Sequence, residues 1–233
     1  MSNPYVLMWL ESPIQSWGYD SRFGRRDTLL FPTKSGVLGI ICNALGREGE
    51  QSDFLSEFIE LDIQVYAFPR SVDGMIKNLP MLKDFHMVGS GYDDKDPWEL
   101  LHIPKTSEGK KVVGGGSKMT YRYYLQDMAF AVLLEIPSKR VSEIIESLQF
   151  PVYDLCLGRK CCVPTEFVYQ GVFDVADEGV SVATKLATSK SRKLHFVVTE
   201  GGGEGEQLTI SDVPIRFGSY KQYQDRIVTI RYE

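Results

Sequence analysis

Two strand–helix–strand runs with a long irregular insertion between them, followed by a tail of short segments of strand character, predict an α+β protein. The order is βαβ, insertion, βαβ, which is that of a ferredoxin-like (RRM-like) βαββαβ domain, and the tail predicts a small antiparallel β C-terminal domain. The first domain covers residues 1–158, with the insertion at about 75–120, and the second covers 159–233.

Residues 5–10 form an apolar, aromatic-rich run bounded by Pro4 and by the Ser12-Pro13 break, which predicts a buried strand. Val37, Leu38, Ile41, Ala44 and Leu45 then fall on one helical stripe. Thr33 or Ser35 can cap its start, and Gly46 stands where a left-handed residue ends a helix. Residues 63–68 predict a second strand ended by Pro69, and residues 128–136 a third. Val141, Ile144, Ile145 and Leu148 repeat at helical spacing, and residues 152–157 predict a fourth strand. The tail contributes strands at 167–173, 194–199, 207–210 and 226–232, with GGGEGE (201–206) as a hairpin loop. The insertion is rich in Gly, Asp and Lys and too long for an ordinary turn, and its GKKVVGGGSK stretch (109–118) reads as a basic tip.

With 233 residues there is enough apolar sequence for a core without staples. Four cysteines, Cys42, Cys156, Cys161 and Cys162, make no CxxC pair, and three histidines do not complete a zinc pattern, so the cysteines read as mostly buried cytosolic thiols. The N-terminus lacks a basic segment followed by an apolar core, and no apolar run reaches the ~18 residues that span a bilayer, so a cytoplasmic protein with no membrane partner is expected. The net charge of -5 argues against a general nucleic-acid binder. The charge is segregated, however. Glu48, Glu50, Asp53, Glu57, Glu60 and Asp62 form an acidic block, whereas Lys105, Lys110, Lys111, Lys118 and Arg122 enclose only Glu108, and Lys185, Lys190, Arg192 and Lys193 gather later. Such segregation suits a subunit that touches RNA on one face.

The densest chemistry lies between Ser12 and Gly46. Arg22, Arg25 and Arg26 sit beside Trp17 and Tyr19, and Lys34 and Ser35 open a helix whose free N–H groups would face an anion. The group predicts phosphate binding; the alternative is a surface loop whose arginines pair with Asp20 and Asp27. Gln15, Trp17 and Tyr19 suit an unpaired base, although a Trp beside Gly serves equally well as a core plug. Lys118, Tyr121 and Arg122 mix cations with an aromatic where the insertion rejoins the body, as a groove tracking a nucleic-acid backbone would. GGGSK lacks the GxxxxGK spacing of a phosphate-binding loop and GxGxxG is missing, so no nucleotide cofactor is expected. Asp93, Asp94 and Asp96 lack the remaining ligands of a calcium loop, and no metal is expected.

SPIQSWG (12–18) with RRDTLLFPTKSGVLGIICNALG (25–46), then DFHMV (84–88), YRYYLQDMAFAVLLE (121–135) and YDLCLGRKCCVP (153–164) stand in the order and spacing of the Cas-five family. The chain resembles the type I-E branch of that family, whose members belong to the CRISPR surveillance complex Cascade and to the wider repeat-associated RNA-binding superfamily. The resemblance implies that the insertion is a thumb-like hairpin packed on a neighbouring backbone subunit. It implies that Gly158, Arg159 and Lys160 form a glycine-containing loop close to bound RNA, where a plain β-turn is the alternative. It implies a non-catalytic subunit that holds the 5′ handle of a CRISPR RNA (crRNA), caps the complex beside the backbone subunit CasC and the large subunit CasA, and meets target DNA only through the assembly. Sequence matching is then left to guide base pairing.

Two rival expectations remain. Other Cas-five branches cut repeat RNA, and His86 near Lys83 and Tyr92 would be the acid–base cluster of a metal-independent endoribonuclease. In the branch this chain resembles, a separate subunit cuts, and His86 belongs to the DFHMV motif. His195 alternates with apolar residues in a strand and His102 has no such company, so neither is a better base. The other rival is a purely architectural protein without RNA of its own.

Overall fold

The computed structural model describes residues 3–19, 21, 24–88, 93, 95–101, 103, 105–110 and 118–233. In chain order the elements are β1 (Tyr5–Gln15), β2 (Arg25–Arg26), α1 (Lys34–Ala44), α2 (Ser52–Ser56), β3 (Ile63–Pro69), β4 (Ser71–Val72), β5 (Met75–Ile76), β6 (Leu82–Val88), α3 (Pro97–Leu101) and β7 (Lys118–Glu135). They continue with α4 (Val141–Gln149), β8 (Tyr169–Phe173), α5 (Ala176–Ser189), β9 (Phe196–Glu200), β10 (Glu206–Arg216) and β11 (Gln222–Tyr232). The protein is a mixed α/β structure built on one large antiparallel sheet, in the order β10-β11-β9-β3-β7-β1-β8.

β1, β3 and β7 are apolar on both faces because both faces are covered. Val6, Met8, Leu10, Val65, Phe130 and Val132 point to the layer of α1 and α4, where Val37, Leu38, Ile41, Ile144 and Leu148 meet them. Leu7, Trp9, Phe68, Ala129, Ala131 and Leu133 point the other way, to Ala183 and Ala187 of α5. Small residues face small residues there, and α5 lies so close that a Cβ on Gly179 would come within 2.4 Å of Leu133 Cδ2. The helix predicted around residues 37–45 is α1: Thr33 caps it by accepting from the Gly36 N–H at 3.1 Å, and Gly46 follows with φ +67°. The helix predicted from Val141 is α4.

Five expectations are corrected. Residues 152–157 are not a strand. Their backbone ties back to the end of α1, with Val152 N–H to Ala44 O at 2.9 Å and Asn43 Nδ2 to Asp154 O at 2.8 Å, while β8 takes the edge beside β1. The C-terminal strands form, but β9 pairs with β3, so they extend the main sheet instead of standing apart from it. The GGGEGE segment is not a hairpin loop, because β11 lies between β9 and β10; the hairpin is β10–β11. The tail also contains α5, whose β-branched residues hide the helix. Its signal is small residues at four-residue spacing, Gly179, Ala183 and Ala187, all buried. β1 also runs through Pro13: the ladder skips from Ser12–Met128 to Ile14–Gln126, and opposite Pro13 the Asp127 backbone turns to φ +48°.

β7 parts from β3 beyond Met128 but stays paired with β1 as far as Leu125; from Tyr124 outward it is the centre of an arm, with β6 antiparallel on one side and β2 parallel on the other. Arg192, its side chain 1% exposed, closes this junction. It donates to Phe68 O at 3.1 Å, Asp127 O and Oδ1 at 2.9 Å each, and Glu11 Oε1 at 2.9 Å. Arg70 adds a second guanidinium to Asp127 at 2.7 Å. Hydrogen bonds from Arg70 hold the Asp127 carboxyl below its ordinary range, against its partial burial. Burial pushes Glu11 up, but the Trp9 indole and Arg192 outweigh it and hold the carboxyl down. No helix among the described residues is long and apolar enough to cross a membrane.

Because Glu11 and Asp127 are held low, their stabilisation is complete above the usual carboxylate range, about pH 4, and is lost as pH falls through the lower folded values. Urea unfolding at pH 7, 5 and 3 should show little change to pH 5 and a clear loss by pH 3. Arg192→Met should lower stability at pH 7 by about 3–5 kcal/mol, because it leaves two carboxylates without their buried partner, and should flatten the acid limb.

Candidate nucleic-acid interface

In the arm, residues paired across strands point to the same face. Arg25 pairs with Tyr121 and Tyr121 with Phe85, while Lys83 pairs with Tyr123. One face therefore carries Lys83, Phe85, Tyr121, Tyr123 and Arg25, with Lys83 Nζ 4.6 Å from the Tyr121 ring centroid and the Arg25 guanidinium 5.0 Å from that of Tyr123. Phe85 and Tyr121 have centroids 5.2 Å apart. Phe85 is half exposed, and the Arg25 side chain more so. Rings with cations laid over them form a surface on which bases stack and along which phosphates run. Arg25 also makes two hydrogen bonds to Asp27, at 2.8 and 2.9 Å, as the surface-loop alternative expected.

The opposite face carries Asp84, His86, Arg122, Tyr124 and Arg26. Arg159 lies over Tyr124 at 4.5 Å and donates to Arg26 O at 3.1 Å, which fastens the loop after Gly158 to the base of the arm. Gly158 has φ +92°, and a Cβ there would fall 1.7 Å from Ser16 O, so only glycine fits. Lys160 is exposed beyond it. Lys118 opens β7 opposite Val88. Arg22, Asp94, Tyr92, His102 and Lys111 lie outside the described residues.

Three candidate residues are turned inward. Gln15 is fully buried, donates to Leu10 O and Met128 O at 3.1 and 2.7 Å and accepts from the Trp17 indole at 3.3 Å. Trp17 is 1% exposed and plugs the core beside Gly36. Lys34 is also fully buried: its ammonium donates to Ile59 O, Leu61 O and Glu200 at 3.0, 2.6 and 3.0 Å. Its own N–H, at the start of α1, goes to Asp212 at 2.7 Å, and Asp212 and Glu200 are bridged by Arg226. Much of the negative charge that this helix terminus attracts is thus supplied from β10. The sequence around Lys34 gave no sign of that partner, which lies 178 residues away. Ser35 remains half-buried at the helix start, its hydroxyl 3.3 Å from that of Thr33.

Of the acid–base cluster, His86 and Lys83 are described, and they are not brought together. His86 and Lys83 are three residues apart on one strand and point to opposite faces; His86 pairs with Asp84. His195 packs edge-on against Phe196 and Tyr232, with Asn78 at 3.3 Å from its Nε2. Phe85 and Tyr123 were missed from the sequence as members of the basic aromatic face. The signal was present in the alternation of Lys83 with Phe85 and of Tyr121 with Tyr123.

Residues 5–229 match the family described as CRISPR-associated protein (Cas_Cas5). The chain belongs to the Cas5 family. Among curated proteins this Cas5-family chain is 27% identical over 177 residues to "CRISPR system Cascade subunit CasD" of Escherichia coli (strain K12), covering 74% of this chain and 73% of that one. Among solved structures it matches a chain of a CRISPR RNA-guided surveillance complex with TM-score 0.68 at 24% identity, over 98% of this chain and 89% of that one, a likeness of fold. It also matches a Cas protein crystal structure with TM-score 0.59 at 25% identity, over 98% and 94%.

Lys34→Ala should destabilise the protein by about 3–5 kcal/mol in urea unfolding, as removal of one partner from a buried ion pair does, whereas Arg26→Ala should change it by less than about 1 kcal/mol. Gly158→Ala should cost about 2–4 kcal/mol through the clash with Ser16 and the left-handed backbone.

Proposed function

We propose that this protein is a crRNA-binding subunit of a type I-E Cascade complex, serving antiviral defence by holding the 5′ handle of the crRNA and capping one end of the assembly. The observation that carries the proposal is the face of Lys83, Phe85, Tyr121, Tyr123 and Arg25 on a projecting arm in a chain of the Cas5 family. On the opposite face Arg159 bonds to Arg26 O and lies over Tyr124, so that further cations stand at the base of the arm. On this reading the strands β8-β1-β7-β3 with α1 and α4 are a ferredoxin-like unit, and α5 covers the sheet face that an RRM uses for stacking. RNA therefore runs along the arm and its base, not across the sheet. On this reading the subunit holds RNA without cutting it, which the placement of His86 and Lys83 on opposite faces of β6 supports.

The arm's distal end supports the partner assignment. Met87 and Met119 are paired there, 55% and 52% exposed, on the same face as Phe85 and Tyr121. An apolar end beyond a basic aromatic stretch suits a protein neighbour at the tip and RNA nearer the body. CasC beside the arm and CasA as a second neighbour complete the proposal, and target DNA is met through guide pairing.

Binding of labelled cognate repeat RNA by Arg25→Ala/Arg26→Ala tests the proposal. Removal of two phosphate contacts should weaken binding and reduce the slope of log affinity against log salt by about 1.4 for a single strand. An unchanged slope and affinity would favour a purely architectural subunit.

A further inference from the structure

Three of the four cysteines fall in one short loop, and one of the three is open to solvent. Cys42 and Cys162 are buried and Cys156 is half-buried, but Cys161 is exposed. The Cys161 Sγ lies 4.0 Å from that of Cys162, and its thiol donates to the Tyr124 hydroxyl at 3.7 Å. A surface thiol in contact with a buried one lets an oxidant reach the first sulfur and the second complete a disulfide. Arg159 and Lys160 immediately precede the pair and place positive charge where a thiolate would form. Burial pushes the Cys42 thiol up to about 11 and the Cys162 thiol up to about 12, and it raises Cys156 as well, so none of these is the sulfur that reacts first.

We propose that Cys161 and Cys162 are a peroxide-oxidisable dithiol whose disulfide loosens the loop at the base of the arm. The Cys161 thiolate attacks one oxygen of hydrogen peroxide; the O–O bond breaks, an S–O bond forms, and the departing hydroxide takes up a proton as water. The Cys162 sulfur then attacks the Cys161 sulfenic acid; the S–O bond breaks, the S–S bond forms, and the hydroxyl leaves with the Cys162 proton as a second water. Two thiols are oxidised by two electrons and one peroxide is reduced. Exchange with two molecules of a small thiol restores both groups. The ring does not fit the present backbone: neighbouring Cα atoms stand about 3.8 Å apart across a trans peptide, whereas disulfides span about 4.4–6.8 Å. That backbone closes the loop, since Cys162 N–H donates to Arg159 O and Leu157 N–H to Cys162 O, both at 2.8 Å. Arg159 in turn lies over Tyr124 at 4.5 Å and donates to Arg26 O at 3.1 Å. Strain at the disulfide therefore reaches the residue that fastens the arm, and a strained disulfide is readily reduced again. This chemistry stands apart from the RNA-binding role proposed above.

The wild-type protein carries the main test, so no variant needs to fold for it. The protein is treated with hydrogen peroxide, its remaining thiols are blocked with iodoacetamide, and its tryptic peptides are weighed without reduction. Trypsin cuts after Arg159 and Lys160 and so separates Cys156 from the pair. The peptide that begins at Cys161 should be lighter by two hydrogens, with Cys42 and Cys156 alkylated, and dithiothreitol should restore both thiols. Hydrogen–deuterium exchange at the Leu157 and Cys162 amides of the oxidised protein should be roughly tenfold faster, the size of one lost hydrogen bond, and unchanged in α5. Cys161→Ser, at an exposed position, should melt as wild type does and form no disulfide. Cys161 as a sulfinic acid with Cys162 alkylated, a bridge to Cys156 or between two molecules, or no loss of thiols would overturn the site. The expected disulfide with unchanged exchange at Leu157 and Cys162 would overturn its effect on the loop.

Discussion

The clasp of Arg192, where β3 ends beside β1 and β7, is the constraint on which the rest of the architecture depends. One guanidinium, almost wholly buried, satisfies two backbone carbonyls and two carboxylates, and each comes from a strand that ends or turns at that level. β3 stops at Pro69, β1 passes Pro13 with a skipped pairing, and β7 turns to φ +48° at Asp127 shortly before it passes into the arm. Without a cation there, the Glu11 and Asp127 carboxylates would face each other's charge at a partly buried site. With it, the direction in which the arm departs is fixed by the body. The RNA surface proposed on β2, β6 and β7 needs that fixed direction, because stacking platforms work only when their rings are held in place.

A second ionic group secures the other side of the molecule. Lys34, Glu200, Arg226 and Asp212 link the start of α1 to β9, β10 and β11. The C-terminal strands are thereby joined to the rest of the sheet through charge as well as through the β3–β9 ladder. The same group holds β10 and β11 against the start of α1. Two buried ionic knots therefore order the molecule, Arg192 beside the base of the arm and Lys34 where the C-terminal strands meet α1. Lys34, a phosphate ligand by residue type, is consumed in building the fold.

That exchange explains what the sequence does and does not disclose. Local patterns carried the elements whose signals are local: α1 with its Thr33 cap and Gly46 stop, β3 ended by Pro69, and α4 with its stripe from Val141. The aromatic-basic mixture at Tyr121 and Arg122 likewise pointed to the arm. What depended on distant pairing was hidden. Gln15, Trp17 and Lys34 were plausible ligand groups by type, and only Leu10, Met128, Glu200 and Asp212 in three dimensions reveal them as structural. Residues 152–157 have strand composition, yet the edge beside β1 is filled by β8. The helix α5 was concealed because its Val and Thr residues have strand character, and the small residues of its buried stripe, which allow the closest packing, give only a weak apolar pattern.

The central claim, that this chain grips RNA without cutting it, is tested most directly by incubating the purified protein with labelled cognate repeat RNA in EDTA and running native and denaturing gels of the same samples. The account predicts a shifted band on the native gel and full-length RNA on the denaturing gel. Shortened RNA on the denaturing gel, or no shift on the native gel, would contradict it.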